Sequence, residues 1–464
     1  ALQDLDQPQL VRTITRYART VREPSLALQE LDEAISRAIG EGGEPGPAYI
    51  DFPTDTLRAP VPKALQLPEH IQPNPRAASH PDPHAVARAV EMLWSASKVL
   101  VISGRGARGA APELTALLDR LGAVYLDTGE SRGLIPDAHP SVVNAMRGAV
   151  MGDADVVLTV GRRLDFQLGF GSPAVFKDAK FVRIGDCTGE VRDNRRGAVE
   201  IIANPAAALK SIVEAAGNRP PAVDKAWSAK LRKGHSERAE KLHASMTASP
   251  NGKDGRLHPN KVIAALQDAL PDDSIVITDG GDFLAFARVG FSAPQMLDPG
   301  PFGCIGVGVP YGVAASIAYP EKTVLVATGD GAFGFNAMEI DTAVRHKAPV
   351  LFAVANNGAW AIEVHDQTVT HGKVTGTRLA FSDYAGMARA LGLHAERVET
   401  EEQLKPAIAR ALANRPALLD FVVTPEAISS DGKSGLAWVP DLQPLAAWDE
   451  TERVWRASEP EAGT

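Results

Sequence analysis

Residues 323–357 read TVLVATGDGAFGFNAMEIDTAVRHKAPVLFAVANN. Two short apolar runs, Thr323–Ala327 and Val350–Ala355, flank a segment with a helical pattern. This order predicts two parallel strands joined by a crossover helix, in a sheet that is covered on both faces. Gly329-Asp330-Gly331 follows the first strand and Asn356-Asn357 follows the second. We therefore expect these polar residues at the carboxyl ends of parallel strands, where open α/β sheets bind ligands.

The Asp and Asn of these two turns have the chemistry of a magnesium site. Asn357 lies 27 residues after Asp330, and carboxylate and amide oxygens are ligands that Mg²⁺ prefers. Gly331 would let a phosphate approach the backbone, and the helix that starts there would offer free N–H groups. The alternative is two unrelated turns, since both short sequences are common in turns. The strand context favours a metal and phosphate site.

Short apolar strands alternate with helices in other parts of the chain as well. Strands are predicted at 98–102, 123–126, 155–160, 181–184, 274–278 and 417–423. The pattern predicts an α/β fold class with three doubly wound parallel-sheet domains, of which the first is truncated. The predicted divisions are a first domain over 1–60, a linker over 61–82, a central domain over 83–216, a solvated helical linker over 217–255, a third domain over 256–425 and a tail over 426–464.

The composition excludes several classes of protein. The 464 residues carry 48 Lys and Arg against 57 Asp and Glu, a net charge of −9, which argues against a general nucleic-acid or basic membrane binder. No apolar run is long enough for a transmembrane helix. Two cysteines, Cys187 and Cys304, cannot build a disulfide framework and fit a reducing compartment. We therefore expect a cytoplasmic protein with no nucleic-acid or membrane partner.

The Gly-Asp-Gly and Asn-Asn turns together resemble the diphosphate-binding motif of thiamine diphosphate (ThDP) enzymes of the acetolactate synthase and pyruvate decarboxylase superfamily. The resemblance implies ThDP and Mg²⁺ as cofactors. It implies that Asp330, the Asn357 side chain and the Ala359 carbonyl hold the metal ion. Gly331 and Ala332 would contact the diphosphate.

Two upstream segments extend this resemblance. Asp279-Gly280-Gly281-Asp282 follows a strand and is similar to the family's second diphosphate loop, so that Gly280, Gly281 and Asp282 would contact the cofactor. Phe302-Gly303-Cys304-Ile305-Gly306 resembles the segment that holds the thiazolium and aminopyrimidine rings. By this resemblance the Gly303 carbonyl accepts a hydrogen bond from the cofactor, and Ile305 is the apolar wedge beneath it. The alternative for Ile305 is an ordinary core residue.

Residues 1–60 resemble only the last part of the family's first, pyrimidine-binding domain. Gly46–Pro53 is similar to its closing strand, and Leu2–Gln7 is similar to its glutamine loop, which makes Gln3 a catalytic candidate. The family's activating glutamate lies earlier in that domain and has no counterpart here. We therefore expect that activity needs N-terminal residues beyond this sequence, or another chain that supplies them. Because the family's cofactor lies between subunits, the resemblance also implies a homodimer or homotetramer.

Glu363 is the candidate residue for proton transfer in the reaction. It lies six residues after Asn357, where decarboxylases of the pyruvate type carry a glutamate, and it would exchange a proton with the substrate. The alternative is a solvated helical glutamate. Segments 161–171, 297–303 and 332–339 resemble 2-hydroxyacyl-CoA lyases, the actinobacterial ones above all, and oxalyl-CoA decarboxylases. This resemblance implies a CoA-ester substrate, cleaved to formyl-CoA and an aldehyde or ketone.

The central domain carries a competing signal. Gly104-Arg105-Gly106-Ala107-Arg108-Gly109, with Asp127 at the end of the next strand, has the spacing of a dinucleotide fingerprint. In the acyl-CoA branch of the ThDP family this domain binds ADP or the adenosine part of CoA. By that resemblance Arg105 and Arg163 would grip phosphates and Asp186 a ribose.

Several functions stay open at this point. The lyase is the first, and a 2-ketoacid carboligase or decarboxylase such as acetolactate synthase is its alternative. An NAD-dependent dehydrogenase built on the Gly104–Asp127 segment and a non-catalytic remnant are alternatives of other classes. The tail over 426–464, with Trp438, Trp448 and Trp455, is predicted to dock as a lid, or else to serve subunit packing.

Overall fold

A computed structural model describes residues 5–41, 43–60 and 78–429, together with 432, 450, 453, 454 and 457. Gln3, most of the 61–82 linker and the three tryptophans of the tail lie outside the described residues. The sequence predictions for them therefore stay predictions.

The third region of the chain forms a parallel sheet that carries both predicted turns. Its strands lie in the spatial order β12-β13-β11-β10-β8-β9, and every neighbouring pair is parallel. The strands are β8 (Ile275–Asp279), β9 (Gln295–Leu297), β10 (Val324–Gly329), β11 (Val350–Asn356), β12 (His394–Val398) and β13 (Ala417–Val422). The helices are α11 (Pro259–Ala269), α12 (Asp282–Gly290), α13 (Gly308–Ala318), α14 (Asp330–Asn336), α15 (Glu339–Arg345), α16 (Ala361–His371), α17 (Tyr384–Ala390) and α18 (Glu401–Ala413).

Both faces of this sheet are buried, which explains the continuous apolar strands. Along β10, Val324 and Val326 pack into the core on one face, whereas Leu325 and Ala327 pack into the core on the other. The alternation is that of a β-strand, but helices cover both sides, so no polar face is left. This arrangement confirms the α/β fold class that the strand pattern predicts.

The central region repeats the architecture with a parallel sheet of order β4-β3-β5-β6-β7. Its strands are β3 (Val99–Ser103), β4 (Val124–Leu126), β5 (Val156–Val160), β6 (Lys180–Gly185) and β7 (Val199–Ile202). Its helices are α4 (Pro83–Ser95), α5 (Ala111–Leu121), α6 (Arg147–Met151), α7 (Pro173–Phe176), α8 (Thr188–Val191) and α9 (Pro205–Ala216).

The first region is small in the described residues. It pairs two parallel strands, β1 and β2, and its elements are α1 (Gln7–Val11), β1 (Tyr17–Thr20), α2 (Ala27–Ile39), β2 (Ala48–Asp51) and α3 (Thr54–Arg58). Among the described helices, none combines the length and the apolar run that a membrane crossing needs.

The segment between the two larger sheets differs in part from the predicted solvated linker. It is a helix as expected, α10 (Lys225–Thr247), but it is not solvated throughout. Trp227 packs into a core of the central sheet and Met246 into a core of the third region's sheet. A few apolar side chains on a mostly polar helix are enough to dock it on both sheets.

A buried arginine organises the loops of the central sheet. Arg183 lies in the middle of β6 and has no exposed surface. Its guanidinium pairs with Asp193 and donates to the carbonyls of Arg162 at 3.1 Å, Glu190 at 3.0 Å and Arg195 at 2.7 Å. One side chain thus fixes the loops that follow β5 and β6.

We predict that Arg183→Met lowers the free energy of unfolding by about 3–5 kcal/mol, because Asp193 is left as a buried charge without its cation. Chemical denaturation of the variant measures this loss. Arg345→Met is the control, since its ion pair with Asp341 is exposed and should matter by less than about 1 kcal/mol. Equal effects of the two variants would contradict the buried ion pair.

Candidate functional site

Three polar turns meet at one edge of the third region's sheet. Thr328 in β10 is in register with Asp279 in β8, and Gly329 is in register with Ala355 in β11. The Gly280–Asp282 loop, the turn after Gly329 and the Asn pair therefore leave neighbouring strands side by side. This is the ligand-binding edge that the sequence pattern predicts.

Asp330 is a buried carboxylate at the start of α14. It is 2% exposed, and its Oδ2 accepts the Gly358 N–H at 2.9 Å, while Oδ1 accepts the Gly331 N–H at 3.0 Å. Desolvation raises the pKa of Asp330 to about 7, although the backbone N–H groups oppose the shift. A cation beside this carboxylate would compensate for the lost solvation.

The turn after β11 presents further oxygen atoms next to Asp330. The Asn357 side-chain oxygen accepts the Ala359 N–H at 3.0 Å. The backbone bridge between this turn and residues 377–379 uses the Gly358 carbonyl and the Trp360 N–H, and so bypasses the Ala359 carbonyl. A carboxylate, an amide and a carbonyl suit Mg²⁺, so Asp330, Asn357 and Ala359 fit the metal ion that the resemblance implies.

A buried network that the sequence analysis missed holds this turn. The Asn356 amide donates to Asp420 at 3.0 Å and to the Ser382 carbonyl at 2.9 Å. Asp420 has no exposed surface and also accepts from Arg397 at 3.0 Å. The sequence signal for it was a lone acidic residue inside the apolar strand β13.

The second loop lies directly below the metal-binding turn. Gly280 and Asp282 are buried, whereas Gly281 is exposed. The Asp282 carboxylate accepts the Ser429 N–H at 3.0 Å, which ties the last described stretch of the chain to this loop. Asp282 thus links this loop to that stretch of the chain. The cofactor contact that the resemblance implies for Asp282 stays a prediction. Gly331 and Ala332 lie in the first turn of α14; the Gly331 N–H is held by Asp330, so a diphosphate would be bound through the other N–H groups of this helix start.

The predicted thiazolium segment is an exposed turn. Gly303 and Cys304 are exposed and Ile305 is half-buried, so the wedge that the resemblance implies points partly to solvent in the single chain. Cys304, in the middle of this segment, is an exposed cysteine.

Glu363 lies in the first turn of α16. The residue as a whole is exposed, yet desolvation at its carboxyl group raises the pKa of Glu363, and the charges of Asp366 and Asp282 add to the shift. The carboxyl group therefore lies within electrostatic reach of the Gly280–Asp282 loop and holds a proton more readily than a solvated glutamate does. This is the property that a proton-transfer group needs.

The Gly-rich loop of the central sheet is packed rather than open. A Cβ atom on Gly104 would overlap the Gly161 carbonyl, so the first glycine of the fingerprint serves the close approach of two loops. The carboxylate of Asp127 accepts the Gly133 N–H at 3.0 Å. Arg105 is exposed and pairs with Glu130 at 3.3 Å.

Arg163 and Asp186 lie on a different, more acidic part of the same edge. Both act on Glu190, whose pKa is raised to about 7 by desolvation and by the Asp186 charge, with Arg163 opposing. Asp186, Cys187 and Glu190 each offer a ligand atom within 4.8 Å of the others, and we assign no ion to them. The three predicted nucleotide-binding residues thus lie at one edge of the sheet. Arg105 pairs with Glu130, whereas Arg163 and Asp186 lie near Glu190.

Comparison with known proteins identifies the two larger regions. Residues 279–421 match the model of the thiamine pyrophosphate enzyme C-terminal TPP-binding domain, and residues 86–212 match that of the thiamine pyrophosphate enzyme central domain. Thiamine pyrophosphate is ThDP. The first match begins at Asp279 and includes both cofactor loops.

Similar curated proteins cover most of the chain. A probable acetolactate synthase of Mycobacterium bovis is 31% identical, over 94% of this chain and 79% of that protein. 2-Hydroxyacyl-CoA lyase 1 of Mus musculus is 29% identical, over 92% and 76%. 2-Hydroxyacyl-CoA lyase 2 of Caenorhabditis elegans is 28% identical, over 86% and 68%. Together with the geometry of the three turns, these matches show that the chain belongs to the thiamine diphosphate enzyme family.

Proposed function

We propose that the protein is a ThDP- and Mg²⁺-dependent lyase that cleaves a 2-hydroxyacyl-CoA to formyl-CoA and an aldehyde or ketone. The observation that carries the proposal is the position of Glu363, six residues after Asn357 and within electrostatic reach of Asp282 in the second cofactor loop, where its pKa is raised. The similarity of the whole chain to 2-hydroxyacyl-CoA lyases supports the CoA-ester substrate. We also propose a cytoplasmic homodimer or homotetramer, with pyrimidine-domain residues completing each site.

In this proposal the chain's own residues bind, orient and transfer a proton. ThDP supplies the electron sink for carbon–carbon cleavage. Asp330, Asn357 and Ala359 would hold Mg²⁺, and the start of α14 would bind the diphosphate through Gly331 and Ala332. Glu363 would accept the proton of the substrate hydroxyl as the carbonyl product leaves, and would return it to the carbon that becomes the formyl group of formyl-CoA.

A substrate comparison tests the proposed activity. The purified enzyme, with saturating ThDP and Mg²⁺, is incubated with a 2-hydroxyacyl-CoA or with pyruvate. We expect formyl-CoA and the matching aldehyde or ketone from the first substrate and little product from the second. Acetolactate formed from pyruvate, with no cleavage of the CoA ester, would overturn the lyase proposal.

Acetolactate synthase is the second candidate. A relative with this name is 31% identical over 94% of the chain, which is slightly higher than the 28% and 29% identity to the two lyases. The family assignment also favours ThDP chemistry over an NAD-dependent dehydrogenase, the alternative that the Gly104–Asp127 spacing had suggested. Gly104, the first glycine of that pattern, is used in loop packing.

For the central region we propose that ADP or the adenosine part of the CoA ester binds at Arg105, Arg163 and Asp186. The two arginines follow adjacent strands, and both are exposed and able to reach a phosphate. In this proposal the two guanidinium groups contact the phosphates, and the Asp186 carboxylate accepts hydrogen bonds from the ribose hydroxyl groups.

We predict that the double variant Arg105→Met/Arg163→Met binds ADP and the CoA ester at least about tenfold more weakly, since a charge-assisted contact contributes roughly 1.5–3 kcal/mol. Isothermal titration calorimetry measures both ligands. Arg196→Met is the matched control, because Arg196 is an exposed arginine of the same region, paired with Glu200. Affinity that stays unchanged in the double variant would show that the Gly-rich loop is structural only.

A further inference from the structure

We propose that Asp279 and Asn336 form a clamp on the backbone of Gly306, and that this clamp fixes the Gly303–Ile305 segment relative to the metal-binding turn. Both are positioning residues, and neither is assigned a contact with substrate. The proposal rests on the placement of ThDP at these segments, and it holds for a lyase and for a synthase alike.

Asp279 supplies the first half of the clamp. It ends β8, and it is 1% exposed. Its Oδ2 accepts two backbone N–H groups, from Gly306 at 2.9 Å and from Gly308 at 2.7 Å, and its Oδ1 accepts the Gly280 N–H at 2.7 Å. Charge-assisted hydrogen bonds of this kind are about twice as strong as neutral ones. One carboxylate therefore joins the second diphosphate loop to the thiazolium segment.

Asn336 supplies the second half. It ends α14, the helix that begins with the metal-binding Asp330. Its side-chain amide donates to the Gly306 carbonyl at 2.7 Å. The N–H and the C=O of Gly306 are thus held from two different elements, β8 and α14. Since the metal ion would be bound at the other end of α14, the helix connects the metal site to this one residue.

The close approach at Gly308 shows how tightly the segment is seated. A Cβ atom on Gly308 would lie 2.8 Å from the Asp279 Cβ, so a larger residue would push the segment off the carboxylate.

On the other side of Gly306 the chain is exposed, and Phe302 is 91% exposed. The hydrogen bonds of residues 300–304 in the described structure run within that turn or to Asp298, which pairs with Arg288 at 2.8 Å. The clamp is therefore the anchor on the C-terminal side of Gly303 and Ile305, and Asp298 is the anchor on the N-terminal side.

Hydrogen exchange followed by mass spectrometry, on the purified chain without ThDP, tests the clamp. In Asp279→Asn an amide donor faces the backbone N–H groups, and we expect the 303–308 peptide to exchange about tenfold faster or more. Asn336→Ala removes one neutral hydrogen bond from an exposed residue and should accelerate the same peptide by about threefold. Asn414→Ala is the control, because Asn414 also donates to a carbonyl near a helix end, that of Arg410 at 2.8 Å, away from the site.

Kinetics on the holoenzyme give the second readout. At saturating ThDP we expect kcat to fall about 10–100-fold in Asp279→Asn, with a small change in KM, because misplacement by about 1 Å is enough to cost that much. The strands β8 and β10 should keep their protection in every variant.

Unchanged exchange at 303–308 in both variants would overturn the clamp, and so would a kcat that recovers fully once ThDP is saturating. If Asp279→Asn does not fold, Asn336→Ala decides by the same criteria. The exchange readout needs no substrate, so a failure of the lyase proposal leaves it interpretable.

Discussion

Asp330→Ala is expected to abolish Mg²⁺-dependent ThDP binding. The variant removes the charged oxygen ligand of the proposed metal site, which is 2% exposed and lies at the start of α14. It also removes the acceptor of the Gly358 N–H, so that the turn carrying Asn357 and Ala359 loses its link to α14. Loss of a residue behind a metal ligand typically costs about 10–100-fold in affinity, so loss of the ligand itself should exceed about 100-fold.

Isothermal titration of ThDP in the presence and absence of Mg²⁺ measures this effect. Asp341→Ala is the control, since Asp341 is a partly exposed aspartate of the following helix that forms an ion pair with Arg345. Asp330→Asn is a second variant that keeps the size and the hydrogen-bonding capacity of the side chain. ThDP affinity that remains high and Mg²⁺-dependent in Asp330→Ala would contradict the placement of the metal site.

The sequence predicted the strands of this sheet because burial on both faces leaves a pattern that needs no tertiary information. The runs 323–327 and 350–355 differ from β10 and β11 by one or two residues at their ends. β9 and β12 were missed because they lack this pattern of burial on both faces. They are the edge strands of the sheet, and β12 mixes His394, Glu396 and Arg397 with apolar residues, which is the pattern of an element with one solvated side.

The candidate site could be predicted only where one turn carries its own chemistry. Asp330, Asn357 and Glu363 stand in recognisable sequence contexts, and the structure brings their segments to one edge of the sheet. Asp420, whose partner Asn356 is 64 residues away, stood out only as a lone acidic residue inside an apolar strand. Asp279 could not be found in this way, because its importance lies in a partner 27 residues away. A buried acid at a strand end looks like any turn residue until the tertiary contacts are known.

In the central region one sequence pattern has two possible physical causes. Spacing alone made Gly104 and Asp127 resemble a dinucleotide fingerprint, whereas the structure uses the first for loop packing and the second to accept a backbone N–H. Glycine is selected both where a phosphate approaches and where another backbone approaches. A sequence pattern cannot distinguish these two reasons.

Glu363→Gln is expected to lower kcat by about 10²–10⁴-fold, the usual contribution of a general acid–base group. Glutamine keeps the size and hydrogen bonding of the side chain in the first turn of α16, but it cannot transfer a proton. KM and ThDP affinity should change far less, because the metal and diphosphate ligands are untouched. Steady-state kinetics at saturating ThDP and Mg²⁺ give both parameters.

The pH profile separates proton transfer from a role in packing. Glu363 must be ionised to accept the substrate proton, so kcat should rise with pH through its raised pKa, and this limb should be absent in Glu363→Gln. Asp366→Asn removes a neighbouring charge that raises the pKa of Glu363, so the limb should move to lower pH while the maximal kcat is kept.

Three results would count against this role for Glu363. A change in kcat of less than about twofold in Glu363→Gln would make it a solvated helical residue. A raised KM with an unchanged kcat would make it a group that only positions the substrate. A limb that stays in Glu363→Gln would assign the titration to another group, and Asp282, whose charge also acts on Glu363, would be the next residue to replace.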